Sequence, residues 1–251
     1  MAGEREVVND LLGYDGLKII QRTDMFPFSL DSTLLADFVR IPAKVKHIMD
    51  FGTGNAPIPL FLSLKTDRPI VGVEVQAEAA DLARRSVELN GLSSQITIVE
   101  ADINGLHNLY ASGSFDLIVV NPPFFPFRPE ANLNKNEYLT IARHEVLIDL
   151  DGILRQARRL LTNNGTLCLI HRADRLEEII LRFHEHRFTM KRLRFVYPKR
   201  GRPANAVLIE AKANGGKGGL QLLEPLYVYE GDSGEYSPEI LRIFRTGKKE
   251  S

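Results

Sequence analysis

Five short, almost continuously apolar runs recur along this chain, and the segments between them have helical spacing. The runs cover residues 47–51, 70–75, 96–101, 115–121 and 165–171. Apolar runs of this length are typical of parallel strands that are covered on both faces. The segments around and between them predict helices at 56–65, 77–90, 149–162 and 174–186. This alternation predicts an α/β fold with a mostly parallel sheet and helices on both of its faces.

The end of the sheet follows a different pattern. Two further strand candidates, 188–198 and 205–213, are separated by a connection too short for a crossover helix. These two strands should therefore form an antiparallel hairpin. Five parallel strands followed by an antiparallel hairpin resemble the Rossmann-like, seven-stranded sheet of class I methyltransferases.

Composition limits the classes of partner and site. The 32 basic residues balance the 32 acidic residues, so total charge indicates no anionic partner. The single cysteine, Cys168, excludes an intramolecular disulfide and a multi-cysteine zinc site, and its apolar neighbours predict a buried, inert thiol. No apolar segment reaches the ~18 residues of a membrane span, and the first residues lack a signal-peptide pattern. We expect a cytoplasmic protein without a membrane segment.

Glycines and carboxylates follow the first three predicted strands. Gly52 and Gly54 come directly after the first strand, where the lack of a Cβ allows the backbone to approach a ligand closely. Glu74 ends the second strand and can accept hydrogen bonds from both hydroxyls of a ribose. Asp102 follows the third strand, where its carboxylate can meet an adenine amino group.

Two nucleotide cofactors suit such a site. A dinucleotide favours a third glycine, but Pro57 stands at that position. Asp50 precedes the glycines, and its charge would repel a pyrophosphate but attract a sulfonium or amino group. These features favour S-adenosylmethionine. The predicted cofactor-binding set near the glycines and carboxylates also includes Thr53, Asn55, Val75, Ile103 and Asn121.

The fourth apolar run ends in the sequence Asn-Pro-Pro-Phe-Phe at 121–125. Ligands of open α/β sheets bind at the carboxyl ends of the strands, which places Asn121 beside the predicted cofactor. An exocyclic amine conjugated to a ring is a poor nucleophile. The side-chain oxygen of Asn121 and the carbonyl of Pro122 can accept its two N–H bonds, while Phe124 offers a face for stacking. Pro123 completes the predicted catalytic set. An ordinary tight turn is the alternative interpretation.

The Asn-Pro-Pro-Phe segment resembles the motif of methyltransferases that modify adenine N6 or glutamine N5. Further segments at 21–38, 50–55, 142–145 and 202–220 resemble the tRNA adenine-N6 methyltransferases that act on valine tRNA beside the anticodon. That family usually has glycine at the position of Ala56. The glutamine-N5 enzymes carry a long helical domain before the glycine motif, whereas only 49 residues precede Asp50 here.

The resemblance implies an RNA substrate and further site residues. Phe28, Ser29 and Asp31 would close over the cofactor, although they could serve only as a helix entry and cap. Phe125, Arg143 and His144 would contact RNA, although each could be structural instead.

The segment 182–202 is strongly basic, with eight Lys or Arg residues and one acidic residue. Aromatic residues are interleaved with these charges, as expected of phosphate contact combined with base stacking. Lys199, Arg200 and Arg202 are the predicted RNA contacts. A solvated strand and loop is the alternative.

The sequence patterns together with the resemblance thus predict an adenine-N6 methyltransferase that needs no metal and is a monomer, and the resemblance implies that it acts on tRNA. A glutamine or DNA methyltransferase and a non-catalytic RNA-binding protein remain as alternatives. Three regions are expected: an N-terminal extension (1–45) that packs on the cofactor side, the methyltransferase domain (46–213) and an irregular tail (214–251). The extension should contain one helix, capped by Asp31 or Ser32.

Overall fold

The computed structural model describes residues 5–11, 16–25, 29–122, 149–231 and 234–245. The strands are β1 Glu6–Asp10, β2 Lys18–Arg22, β3 Ile48–Phe51, β4 Ile70–Glu74, β5 Ile96–Glu100, β6 Phe115–Val120, β7 Leu161–Arg172, β8 Phe188–Tyr197, β9 Ala206–Ala213, β10 Gln221–Leu222 and β11 Leu226–Tyr227. The helices are α1 Leu30–Phe38, α2 Pro57–Ser63, α3 Ala77–Leu89, α4 Leu150–Leu160, α5 Leu176–Glu185 and α6 Pro238–Arg245. Two 3-10 turns cover Ile103–Asn108 and Ala173–Arg175.

The main sheet has the order β10-β8-β9-β7-β6-β3-β4-β5. The neighbouring strands β7, β6, β3, β4 and β5 are parallel to one another. Strand β9 is antiparallel to both of its neighbours, β7 and β8. The predicted mostly parallel sheet with an antiparallel hairpin is therefore confirmed. The strand count is nine instead of seven, because β10 and β11 both pair with β8. Each of these two strands has only two residues, which is too short to show an alternation of apolar and polar positions in the sequence.

Alternate residues of the central strands enter two separate cores. Ile48 and Leu117 pack on one side of the sheet with residues of α1, α2, α3 and α6. Met49 and Ile118 pack on the other side with residues of α4 and α5. Both faces of the sheet are thus covered by helices, which is why the strands are apolar at almost every position.

The N-terminal extension contains more structure than predicted. Strands β1 and β2 form an antiparallel hairpin, and β2 docks on α3. The Ile20 backbone N–H donates to Ser86 Oγ at 3.0 Å, and the Lys18 N–H donates to Asn90 Oδ1 at 2.8 Å. Helix α1 follows Ser29, so the predicted cap at Asp31 or Ser32 is wrong. Asp31 lies in the first helical turn, where a carboxylate is favourable to the helix dipole.

The C-terminal tail is also more ordered than predicted. Helix α6 buries Ile240 and Ile243 in the same core as α1. The Arg194 guanidinium donates to both carboxylate oxygens of Glu239 on α6, at 2.7 and 2.9 Å. The prediction of an irregular tail failed because a helix of two turns provides too few apolar positions for a clear period.

Two cations hold the carboxyl end of α1. Lys65 Nζ donates to the carbonyl oxygens of Ala36, Asp37 and Val39 at 2.9, 2.9 and 2.6 Å. Arg192 forms a buried ion pair with Glu210 at 2.6 Å, and its guanidinium lies 4.2 Å from the centre of the Phe38 ring. Arg192 Nη1 also donates to the Phe38 carbonyl at 3.3 Å, so both cations occupy backbone acceptors that a helix end leaves unpaired.

The turn between β3 and α2 forces a non-glycine residue into an unfavourable conformation. Ala56 precedes the helix with φ 70° and ψ 34°, in the left-handed region, and is fully buried. An L-residue with a Cβ pays roughly 1 kcal/mol for this conformation relative to glycine.

Ala56→Gly should therefore stabilise the protein by about 1 kcal/mol, since glycine adopts the left-handed region without that strain. The free energy of unfolding in urea would measure the change. Ala83→Gly, in the interior of α3, is the matched control and should destabilise by about 1 kcal/mol or more. An equal loss of stability in both variants would contradict strain at Ala56.

Candidate active site at the carboxyl edge of the sheet

Three strands bring their carboxyl ends to one edge of the sheet. Phe51, the last residue of β3, is in register with Val73 of β4 and Val120 of β6. The next residues along these strands, Gly52, Glu74 and Asn121, therefore leave the sheet side by side. The sequence predicted these three at the ends of the first, second and fourth strands, and the register places them next to one another.

Asp50 is completely buried at the base of this edge. Its Oδ2 accepts a hydrogen bond from Thr53 Oγ1 at 2.7 Å, whereas Oδ1 has no partner among the described residues. Burial raises the pKa of Asp50 to about 8; the Thr53 hydrogen bond opposes this shift and the nearby Glu74 carboxylate adds to it. A buried carboxylate oxygen without a donor favours a ligand that brings a cationic or N–H group.

Gly72 makes the Asp50–Thr53 contact possible. A Cβ at Gly72 would lie 2.8 Å from Thr53 Oγ1 and 2.9 Å from Ile98 Cδ1. Only glycine at this position of β4 leaves room for the Thr53 side chain to fold over the strand and reach Asp50. Gly72 has no signature in the sequence, because a glycine inside an apolar run gives no indication of which neighbour needs the space.

Glu74 organises the loop that faces Asp50. Its Oε2 accepts from the Gly54 N–H at 2.9 Å, and Oε1 accepts from the Val75 and Gln76 N–H groups at 3.0 Å each. Burial raises the pKa of Glu74, and these three donors oppose the rise. An ionised carboxylate has about four acceptor sites, so Glu74 can still accept from a ligand while it orders the loop.

The two glycines of the turn face open space. Gly52 and Gly54 have φ values of +65° and +57°, and a Cβ on either would meet no described protein atom within 4 Å. The same turn is tied to the N-terminal hairpin, because Asn55 Nδ2 donates to the Ile20 carbonyl at 2.9 Å. This combination of a rigid backbone and free space fits a ligand that contacts backbone atoms.

A more apolar wall continues from Glu74 towards β5. Val75 is 41% exposed although it is aliphatic, and Ile103 is almost buried. Asp102 is exposed and caps the following 3-10 turn by accepting the Asn104 N–H at 2.8 Å. Val75 therefore offers exposed apolar surface after the end of β4, next to the strand that leads to the Asp102 carboxylate, an arrangement that suits a planar ring with an amino group.

Asn121 is oriented by helix α1. Its Nδ2 donates to Ser32 Oγ at 3.1 Å, and Ser32 is buried. This contact leaves the amide oxygen as the group that can accept from a substrate. Ser32 was predicted only as a possible helix cap; its link to Asn121 spans 89 residues and has no signature in the sequence.

The other predicted site residues near Asn121 differ in how far they are buried. Pro122 is buried, and Ser29 and Asp31 are partly buried at the start of α1. Burial raises the pKa of Asp31 to about 6. The predicted residues Phe28, Pro123, Phe124, Phe125, Arg143 and His144 lie outside the described residues.

The basic segment 182–202 is divided between structural and surface roles. Arg192 is buried against Glu210, Arg194 pairs with Glu239, and Lys191 Nζ donates to the carbonyls of Gly216 and Gly218. Arg200 and Arg202 are exposed in the β8–β9 turn, and Lys199 is partly buried there. Charge density alone could not separate the intramolecular partners from the exposed cations.

The described ranges contain neither a cluster of metal-binding side chains nor a membrane-spanning helix. No group of three or more His, Cys, Asp or Glu residues in those ranges is placed to hold a metal ion. No helix in the same ranges is long and apolar enough to cross a membrane.

The chain matches a protein family along most of its length. Residues 28–196 match the family model of the methyltransferase small domain. A tRNA1(Val) (adenine(37)-N6)-methyltransferase from Porphyromonas gingivalis is 32% identical over 202 residues, which cover 79% of this chain and 78% of that protein. A release factor glutamine methyltransferase from Chlorobaculum tepidum is also 32% identical, but over 55% of this chain and 49% of that protein.

A solved structure of another protein shares the fold of this chain. A predicted O-methyltransferase from Agrobacterium tumefaciens superposes with a TM-score of 0.65 at 22% identity, covering 87% of this chain and 97% of that chain. This similarity confirms the class I methyltransferase fold expected from the pattern of strands.

The buried carboxyl of Asp50 should make stability depend on pH. Between its ordinary pKa of 3.8 and the folded value of about 8, the folded state retains a proton that the unfolded state loses. The free energy of unfolding should therefore fall as pH rises through this range, by up to about 1.4 kcal/mol per pH unit. Asp50→Asn removes this contribution.

The unfolding free energy of Asp50→Asn should thus increase relative to that of wild type between pH 5.5 and pH 7.5. Urea unfolding at the two pH values measures it, and titrations of groups that do not interact with Asp50 cancel in the difference. A difference that stays constant with pH would mean that Asp50 is ionised in the folded protein.

Proposed function

The chain belongs to the methyltransferase small domain family and, within it, to the tRNA adenine-N6 methyltransferases, and we propose from this premise that it methylates N6 of an adenine in tRNA. The methyl donor is S-adenosyl-L-methionine. The position we propose is adenine 37 of valine tRNA, the substrate named for the relatives. The observation that carries the proposal is the meeting of Asp50, Glu74 and Asn121 at one edge of the sheet in a chain with this relationship.

The geometry of the edge fits the methyl donor. Glu74 retains about one free acceptor site for a ribose hydroxyl. A cationic group bound at the unpaired Oδ1 of Asp50 would lower the raised pKa of that carboxyl and favour its ionised form. We propose that Val75 and Ile103 line the adenine while Asp102 accepts from its amino group. The backbone of the turn formed by Gly52, Thr53, Gly54 and Asn55 would contact the remainder. Phe28, Ser29 and Asp31 would close over the cofactor.

The chemistry that the chain must perform is positioning. The bound cofactor supplies an electrophilic methyl group, and the adenine amine must present its lone pair to it. Asn121, held by Ser32, offers its side-chain oxygen to one N–H of the amine, and the Pro122 carbonyl accepts the other. Two such acceptors favour a pyramidal nitrogen. Phe124 would stack on the base, with Pro123 keeping the turn rigid. The amine loses its proton after methylation, so a strong general base is not required.

RNA would reach this edge across basic and aromatic residues. We propose Lys199, Arg200 and Arg202 as phosphate contacts, with Phe125, Arg143 and His144 nearer the target base. The regions 1–45, 46–213 and 214–251 are proposed as a cofactor-side extension, the methyltransferase domain and a tail. We further propose a cytoplasmic monomer that uses no metal.

A glutamine side chain of a protein is the alternative substrate, because its amide nitrogen would fit the same pair of acceptors. The similarity to the release factor glutamine methyltransferase supports this alternative over about half of each chain. Incubation with labelled cofactor and separate tRNA, DNA and protein fractions distinguishes the candidates by which fraction gains label.

Glu74→Gln should lower the affinity for S-adenosylhomocysteine by about tenfold or more, because a hydrogen bond to a charged group contributes roughly 1.5–3 kcal/mol. Calorimetric titration measures the affinity. Glu100→Gln is the matched control, since Glu100 is in register with Glu74 but is exposed and paired with Arg84. Equal affinity in Glu74→Gln and wild type would remove Glu74 from the cofactor site.

Asn121→Ala should reduce methyl transfer to tRNA by about 10²–10³ in kcat, the usual effect of removing one preorganised polar group from a reacting centre. Cofactor affinity should change little. Ser32→Ala should also lower kcat, by a smaller factor, because the Asn121 amide then loses its orienting acceptor. A kcat for Asn121→Ala equal to that of wild type would refute this mechanism.

A further inference from the structure

A second concave site lies between the β8–β9 turn and the C-terminal tail. It is open to solvent, has a volume of about 370 Å³ and is lined by Pro198, Lys199, Arg202, Pro203, Tyr229, Gly231 and Gly234. Its walls combine two proline rings and one aromatic ring with two cations. No carboxylate is among its described lining residues, although Glu230 and Glu235 belong to the same tail turn.

The register of the sheet places this cavity on the same edge as Asn121. Arg172, the last residue of β7, pairs with Ala206 at the start of β9, and Ala206 pairs with Val196 near the end of β8. The turn after β8 therefore projects from the carboxyl edge. Strand β8 is three positions from β6 in the sheet, which corresponds to roughly 14 Å at the usual strand spacing of about 4.8 Å.

The aromatic wall of the cavity is held in a fixed orientation. The Tyr229 ring stacks on Tyr236 with centroids 5.4 Å apart and 16° between the planes. Tyr236 in turn meets the edge of Phe244 on α6 at 5.1 Å. Tyr229 is still 37% exposed, so part of its ring remains available to a ligand. The fold of the tail thus positions a flat apolar surface next to Lys199 and Arg202.

We propose that this cavity is a second nucleotide subsite, which takes one base of the RNA strand flanking the target adenine. The proposal rests on the tRNA substrate proposed above. The base would stack on Tyr229 among the prolines, and Lys199 and Arg202 would contact the adjoining phosphates. Arg200, whose guanidinium lies 4.8 Å from the centre of the Tyr227 ring, would extend the cationic surface at the rim. Sequence-tolerant stacking combined with phosphate contact is the usual chemistry of single-stranded nucleic-acid binding.

Three variants separate stacking from charge: Tyr229→Ala, Tyr229→Phe and Arg202→Ala. Lys217→Ala is the control, because Lys217 is an exposed cation that follows β9 on the opposite edge of the sheet. Each protein is assayed for KM and kcat with tRNA transcript across a salt series. Affinity for S-adenosylhomocysteine and thermal stability are measured beside them, and preserved values establish that the variants are folded.

Tyr229→Ala should raise KM for tRNA by about tenfold, the usual scale for loss of one stacked base, with kcat and cofactor affinity unchanged. Tyr229→Phe should keep the wild-type KM, since it retains the ring. Arg202→Ala should raise KM and reduce the log–log salt slope by about 0.7, as expected for one lost phosphate contact. Lys217→Ala should match wild type.

Wild-type KM in both Tyr229→Ala and Arg202→Ala would overturn the subsite while leaving the tRNA methyltransferase activity in place. A fall in kcat or cofactor affinity equal to the effect on KM would also overturn it, because the cavity would then act on the structure of the catalytic edge. A wild-type enzyme that labels protein and no RNA would overturn the proposed function and this subsite together.

Discussion

The pairing of β3 with both β4 and β6 is the constraint on which the site depends. Parallel strands in register end at the same level, so residues 20 to 70 positions apart in the sequence emerge side by side. Gly72 extends the constraint into the sheet, because its missing Cβ admits Thr53 beneath the loop. The Asp50 carboxylate can then be buried with one hydrogen bond and one oxygen left for a ligand. Burial without full pairing is unfavourable to stability, and its consequence is a carboxyl whose pKa is raised to about 8.

Helix α1 connects this edge to the remainder of the molecule. Ser32 near its beginning orients Asn121, and Lys65 and Arg192 hold its end through backbone carbonyls. The helix is therefore fixed at both ends by polar contacts as well as by its buried face. The N-terminal hairpin adds a further link, since the Ile20 backbone bonds both α3 and the glycine turn. Residues before the methyltransferase sheet thus belong structurally to the site.

The charged residues of the chain are unevenly distributed, although their total charge is balanced. Within the basic segment, Arg192 and Arg194 stabilise the packing of α1 and α6, whereas Arg200 and Arg202 remain exposed in the β8–β9 turn. The tail that follows contributes aromatic rings to the same turn. A chain without net charge can in this way present cations and aromatic rings at the same edge of the sheet where β6 ends.

The sequence by itself determined the sheet and which polar residues and glycines lie at its carboxyl edge. Continuous apolar runs predicted the parallel strands, and the short connection after residue 198 predicted the antiparallel hairpin. The positions of Gly52, Gly54, Glu74 and Asn121 directly after or at the ends of these runs predicted that they lie together, because a parallel sheet places strand ends at one edge. These inferences use local periodicity, which the sequence carries directly.

Only the tertiary structure decided which distant residues support that site. The contact between Ser32 and Asn121, the space that Gly72 leaves for Thr53, and the ion pairs that occupy Arg192 and Arg194 all join separate segments. The two-residue strands β10 and β11 and helix α6 were missed for the same reason. Each is too short to show a period and is stabilised by packing against β8 or α1. Such contacts depend on the positions of elements in space, which local patterns in a single sequence do not specify.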